Sequence, residues 1–262
     1  MRRHRSSARW NPGLLATKGM SYWYDAREPT SGALSLWHDK GPGKVDLVQA
    51  TGSLQPVLNQ YGNSGTTKSG QRGATGDGVD DIITGPIQGT SPIFGANEVH
   101  FFFVVTRTAG GTSNYWWSIP RAAGSNGFDM NDWRWDLDMT GGGLVQTTGT
   151  PDSNQDAMPV ILELLYVDND ESPGIGTNSV KMLAATPAFS TVVNAVTSAT
   201  FNEINFFNFS SAVNIPTGSH IEIHEALGFG QRIGGEDRRK LIRHLREKWG
   251  APPSPDPVTG IL

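Results

Sequence analysis

The chain predicts an all-β fold in which two antiparallel sheets pack face to face, with one helix at the C-terminal end. Three observations predict it. Glycine (32) and proline (16) are abundant in the 262 residues and charged residues make up only 18%, which suits many short strands joined by turns. The apolar segments have strand length and either alternate or run continuously. Helical periodicity occurs once, near the C-terminus. All-β sandwiches of this length commonly form one domain.

Residues 1–19 hold Arg2, Arg3, Arg5, Arg9 and Lys18 around an Asn-Pro-Gly turn, without periodicity, and read as an extended basic arm. The sandwich is expected over 20–250. Two short aromatic strands and a loop are expected from about 20 to 60, and the Gly/Ser/Thr/Asn-rich 61–75 reads as a loop. The segment Gly76-Asp77-Gly78-Val79-Asp80-Asp81 then makes a tight turn into a strand over 81–84.

Val99 to Val105 is a nearly continuous β-branched and aromatic run, expected as a central core strand with Tyr115 to Ile119 as a neighbour. In Asp132 to Asp138, Trp133, Trp135 and Leu137 alternate with charges, as in a half-buried strand. Val160 to Tyr166, Ser179 to Leu183, Glu203 to Phe209 and the alternation at Ile221 and Ile223 continue the β pattern.

The helix is expected over 236–249. Leu241, Ile242, Leu245 and Trp249 form its apolar stripe, and Glu236 and Asp237 suit the positive end of its dipole. Gly250 supplies a left-handed cap before Pro252-Pro253. The tail 251–262, with four prolines, reads as extended.

Composition also excludes functions. A net charge of −4 argues against a chain that binds nucleic acid as a whole. The absence of cysteine removes disulfides and thiol chemistry. The basic start Met1 to Arg5 is not followed by the apolar core of a signal peptide, and no run has the length of a membrane span. There is no phosphate loop, nucleophile elbow or zinc-protease pair: His224-Glu225-Ala226-Leu227-Gly228 lacks a second histidine.

An ordered series of motifs carries a resemblance. Trp23-Tyr24-Asp25-Ala26, Trp37-His38-Asp39-Lys40-Gly41, Gln55-Pro56-Val57, the Gly76 to Asp81 turn and a helix ending in Trp249-Gly250 follow one another. The series resembles the laminin-G-like, concanavalin A-like (lectin/glucanase) sandwiches of phage virion proteins and of secreted or surface bacterial proteins. Two turns depart from that pattern: Gly76 stands where phenylalanine is usual, and the second tryptophan motif continues Asp39-Lys40-Gly41-Pro42-Gly43. The resemblance implies a jelly-roll sandwich. It also implies a structural, non-enzymatic protein of a phage particle, as a capsid decoration or tail-associated subunit assembled in the host cytoplasm. The partners expected are other virion subunits and further copies of the chain, with no membrane or nucleic acid and no cofactor. The alternative is a glycan-binding adhesion module for host-surface polysaccharide. A third reading is a glycoside hydrolase of laminarinase type.

Candidate residues follow from these readings. Trp116, Trp117, Trp133 and Trp135 with Asp136 and Asp138 are the candidate glycan face, because indoles stack on sugar rings and carboxylates accept from hydroxyls; core packing is the competing role for the indoles. Asp77, Asp80 and Asp81, and separately Asp168 to Glu171, offer oxygen ligands for calcium but also suit turn capping. Arg2, Arg3, Arg5, Arg9 and Trp10 are candidate assembly contacts. The cationic helix residues (Arg238, Arg239, Lys240, Arg243, Arg246 and Lys248) suit either phosphate contact or a solvated face. Retaining glycosidases need two carboxyl groups on one side of a strand or bulge. In Glu222-Ile223-His224-Glu225 a regular strand would turn Glu222 and Glu225 opposite ways, so an edge or surface strand is expected there, with no catalytic residue.

Overall fold

The computed structural model describes residues 10–29, 32–59, 72–76, 80–86, 98–107, 115–120, 127–131, 134–139, 143–148, 159–167, 177–182, 188–193, 203–207 and 221–251. They form two antiparallel sheets and one α-helix. The first sheet runs in the order β15 (Ala188–Val193), β14 (Thr177–Met182), β13 (Val160–Val167), β8 (Glu98–Arg107), β17 (Ile221–Phe229), β6 (Gly73–Thr75), β5 (Val57–Asn59) and β2 (Gly32–Ala33). Strand β1 (Met20–Asp25) pairs with the other half of β17. The second sheet runs β12 (Gly143–Thr148), β11 (Arg134–Met139), β10 (Gly127–Asn131), β9 (Tyr115–Pro120), β16 (Glu203–Phe206), β7 (Ile83–Pro86), β4 (Leu47–Val48) and β3 (Leu36–Trp37).

The near-continuous apolar run of β8 reflects burial on both faces. Phe101, Phe103 and Val105 point between the sheets, into a core shared with Tyr22, Tyr24, Trp37, Trp116, Trp117 and Phe206. Phe102 and Val104 point the other way, beneath helix α1 (Gly235–Trp249), with Trp23, Leu227, Phe229, Leu241, Leu245 and Trp249. Each fully buried side chain of this size contributes about 1.5–3 kcal/mol. The helix ends where expected: Gly250 takes a left-handed conformation (φ 72°) and donates its N–H to the Arg246 carbonyl.

A buried ionic latch fixes the helix to the sheet. Arg238 donates through Nε (2.6 Å) and Nη2 (2.5 Å) to the two oxygens of Glu163 on β13. His100 on β8 lies 2.7 Å from the same carboxylate, and its Nδ1 accepts the Ile233 N–H, so its Nε2–H donates to Glu163. Burial alone would push the Glu163 carboxyl up, but His100 and Arg238 bring it down to about 2.

The N-terminal region differs from the expected arm over 1–19. Pro12–Lys18 is a 3-10 helix: the Asn11 side chain accepts the Gly13 N–H, Gly19 closes the turn at φ 75°, and Leu15 is buried under the sheet. Trp10 packs against the C-terminal helix of its own chain, its ring 5.4 Å from that of His244. Its contact here is therefore intramolecular. Arg2, Arg3, Arg5 and Arg9, and the tail beyond Ala251, lie outside the described residues.

Candidate functional site

A two-sheet sandwich has two outer faces. In this chain the outer face of the first sheet is covered by α1 and the 3-10 helix. One register row crosses all eight strands of the second sheet: Leu36, Val48, Thr84, Asn205, Ser118, Asp129, Asp136 and Gln146, each directly opposite the next. Directly opposed residues share a face. The residues one step along five of these strands (Trp37, Leu47, Ile83, Phe206, Trp117) belong to the inter-sheet core, which identifies Leu36, Val48, Thr84, Asn205 and Ser118 as outward. Leu36 and Val48 are 39% and 48% exposed, Thr84 is half-buried, and Asn205 and Ser118 are fully covered in the middle. The Asn205 amide donates to Ser118 Oγ (3.4 Å) and to Glu203 Oε1 (3.2 Å), which ties β16 to β9 side chain to side chain. Strand alternation adds Glu203 to the same face. An exposed aliphatic pair, Leu36 and Val48, closes this sheet at the β3 edge.

Five of the sequence-predicted residues lie on β9 and β11 of this sheet. Trp116 and Trp117 are both fully buried in the inter-sheet core, so neither is placed to stack on a sugar. Simple alternation would put one of them outside. The pairing of β9 with β10 shifts at this point, between Met130 and Asn131, and the irregularity brings both indoles inward, where each contacts Phe103. On β11, Trp135 pairs in register with Met130, Asp136 with Asp129 and Gln146, and Asp138 with Leu144. Trp133 lies outside the described residues.

Leu36, Val48, Thr84, Ser118 and Asn205 were not singled out by sequence reasoning, since only the long-range register assembles them. The alternation Phe128-Asp129-Met130 was the one local signal. Among the described residues, no group of three or more His, Asp or Glu could hold a metal ion. Asp77 and 168–171 lie outside them, and Asp81 is buried beside Gly76. A Cβ at Gly76 would stand 3.1 Å from Phe207 Cβ and 3.4 Å from Asp81 Cβ, so that motif is glycine because its neighbours fill the space.

The other chemistry-bearing segment, Glu222 to Glu225, departs from both sequence expectations. Strand β17 lies inside the first sheet and all nine of its residues are buried, so it is no edge or surface strand. Its register against β8 shifts between Ile223 and Glu225, and this bulge at His224 restores Glu222 and Glu225 to the same outer side. Glu225 is enclosed: it accepts from the indoles of Trp23 (2.7 Å) and Trp249 (2.5 Å) and from Lys248 Nζ (2.8 Å). The same Lys248 donates to Asp25 (2.7 Å). Burial pushes the Asp25 carboxyl up, but Lys248, the Arg27 N–H and Lys40 outweigh it and hold it below the usual range. This network joins β1, β17 and the end of α1, and it is closed to a substrate as it stands.

The architecture defines the class of fold: a two-sheet antiparallel β-sandwich. The same frame recurs in solved structures. Trypanosoma rangeli sialidase in complex with 2,3-difluorosialic acid superposes with a TM-score of 0.55 at 11% identity, covering 90% of this chain and 34% of that one. Botulinum neurotoxin type C, whose cell entry depends on interaction with two ganglioside molecules, matches with a TM-score of 0.57 at 10% identity, over 88% of this chain and 52% of that one. The binding domain of botulinum neurotoxin DC in complex with rat synaptotagmin II matches at 0.56 and 12% identity, over 87% and 51%. The chain thus spans about a third of the sialidase and about half of the toxin chains. No family model matches the chain, and no curated protein matches it by sequence. Identities this low establish the fold alone. They also correct one expectation: with sialidases among the proteins that share this frame, a non-enzymatic character cannot be deduced from it.

Proposed function

We propose that the chain is a glycan-binding module that presents the outer face of its second sheet to carbohydrate. The observation that carries the reading is the accessible corner made by Leu36, Val48 and Thr84, each directly opposite the next on the outer side of the second sheet. Its exposed aliphatic pair offers a dry contact for the C–H face of a sugar ring, and the half-buried Thr84 hydroxyl beside it can pair with a sugar hydroxyl. Carbohydrate sites commonly combine such an apolar surface with a few convergent polar groups. The outer face of the first sheet is occupied by the chain's own helix, whereas Leu36 and Val48 on the second are exposed. The sialic acid complex of the sialidase and the ganglioside dependence of the toxin support the same reading. The particle-subunit reading has less support, because the arm and tail on which it rests lie outside the described residues and Trp10 docks on its own helix.

A glycan array probed with the purified chain tests the proposal, alongside Val48→Arg and Thr84→Arg, which load a long cation onto the face without entering the core. Binding that both variants abolish at unchanged melting temperature is the expected result. No binding above background overturns the proposal, and so does binding indifferent to both substitutions.

A further inference from the structure

The accessible corner at the β3 edge contains a second row. Leu36 pairs with Val48 and Trp37 with Leu47, so the next pair along β3 and β4 is His38 with Asp46. Trp37 and Leu47 belong to the inter-sheet core, which turns His38 and Asp46 outward with Leu36 and Val48. On β7 the same step leads from Thr84 to Pro86, which is exposed. His38 Nδ1 lies 3.1 Å from Asp46 Oδ2, and the other oxygen of that carboxylate accepts the Asp39 N–H at 2.8 Å. Burial raises the Asp46 carboxyl, but the Asp39 N–H and His38 outweigh it and hold it below the usual range. An ionised carboxylate only accepts, so Nδ1 carries the hydrogen of this bond. The ring is thereby oriented, and its Nε2 is left over in a side chain that is 64% exposed. Among the described residues that nitrogen has no partner.

We infer that this corner takes the end of a glycan, one or two sugars long, and that His38 Nε2 reads one of its hydroxyls while Leu36 and Val48 support the ring. The inference rests on the glycan-binding reading above. Size follows from where the accessible surface stops. Strand β3 is the edge of its sheet, and the row from Leu36 and Val48 reaches half-buried Thr84 and then the fully covered Asn205 and Ser118. Accessible contact therefore spans three strands, about 10 Å at about 4.8 Å per interval. The two rows lie about 7 Å apart along the strands, at about 3.4 Å per residue. A patch of these dimensions meets one sugar ring and its neighbour, and a longer chain would extend past it into solvent. Chemistry follows from His38. In the neutral ring Nε2 accepts a hydroxyl hydrogen, and an imidazole already oriented by a carboxylate loses little freedom when it binds.

The test uses the purified full chain, a glycan array, and titration calorimetry with the methyl glycosides of glucose, galactose, mannose, fucose, N-acetylglucosamine and sialic acid. Di- and tetrasaccharides ending in the sugar that binds complete the series. Expected are binding of at least one methyl glycoside, an affinity that changes less than about threefold from disaccharide to tetrasaccharide, and a loss of about tenfold in His38→Ala at unchanged melting temperature. Deoxy analogues of the bound glycoside should reveal one hydroxyl whose removal weakens the wild type and leaves His38→Ala unaffected. Capture on the array without binding of any methyl glycoside, an affinity that rises about tenfold or more beyond the disaccharide, or one indifferent to His38→Ala overturns this inference. Where Val48→Arg still abolishes that binding, the glycan-binding reading stands. Binding of no glycan overturns both.

Discussion

Glu222 should make this protein lose stability as the pH rises through neutrality, and Glu222→Gln should remove that loss. Its side chain is 1% exposed and its Oε1 has no hydrogen-bond partner. It lies against Gly73, where any side chain would overlap it, and stands in register with Thr75 and Thr106. Burial alone pushes its carboxyl from 4.5 to about 8. A carboxyl raised in the folded state binds a proton that the unfolded chain has released, so stability falls as pH climbs from 4.5 to about 8 and is level beyond. Keeping Glu222 protonated at pH 7 costs about 1.36 kcal/mol for each pH step above 4.5, hence roughly 3 kcal/mol.

His224, next in the bulge, works in the opposite direction over a lower range. Its Nδ1–H donates to the Arg72 carbonyl (2.9 Å) and its Nε2 accepts from the Thr106 hydroxyl (2.7 Å), which fixes the neutral ring. Burial brings it from 6.5 to about 4, so it adds stability as pH rises across that interval. The two slopes offset each other below about 6.5, and above it Glu222 acts without that counterweight. Urea unfolding followed by tryptophan fluorescence should show the wild type losing about 2 kcal/mol between pH 6.5 and 8 relative to Glu222→Gln. In melting temperature this is several degrees, at about 2–4 °C per kcal/mol for large domains. Parallel stability–pH curves for the two proteins would refute the reasoning.

Two further substitutions test the packing. Lys248→Ala removes the cation shared by Asp25 and Glu225 and leaves both carboxyls buried, so urea unfolding should register a loss of about 3–5 kcal/mol; a loss within error would mean that water already reaches the pair. Gly43→Ala places a Cβ against the Ser21 carbonyl, a backbone atom that cannot rotate away, and a cost of about 1–3 kcal/mol is expected in the same assay.

Much of the fold was legible because its signals are local. The helix showed its stripe, its acidic first turn and its glycine cap, and it forms within one residue of the expected start. The run at Val99 to Val105 announced a strand covered on both faces. What escaped were the places where a strand breaks its own alternation. The irregularity between β9 and β10 buries Trp117 as well as Trp116, and the bulge at His224 puts Glu222 and Glu225 on one side. Each depends on pairing with a partner distant in sequence, and the residues themselves carry no mark of it. The candidate binding row was illegible for the same reason: Val48, Thr84 and Asn205 become neighbours only through pairings that span up to 121 positions, as between Thr84 and Asn205.

The motifs that carried the resemblance hold the chain's own elements together. Asp39 accepts the N–H groups of Trp23 (2.8 Å), Gly41 (2.6 Å) and Val45 (2.9 Å), and so folds its loop onto β1. The Trp37 indole donates to the Asp25 carbonyl, and Trp23 and Trp249 close on Glu225. These contacts join β1, the 38–45 loop, β17 and α1, the side of the sandwich that must be right for the helix to dock. Leu36, Val48 and Thr84 take part in none of these side-chain contacts, although Trp37 adjoins Leu36 on β3. Changes at Val48 or Thr84 should therefore alter what is bound without loosening the scaffold, whereas a change at Asp39 or Lys248 should loosen the scaffold whatever is bound. Melting temperature and ligand affinity are accordingly expected to vary independently across these two sets of positions, and a Thr84→Arg variant that lost both together would contradict the separation.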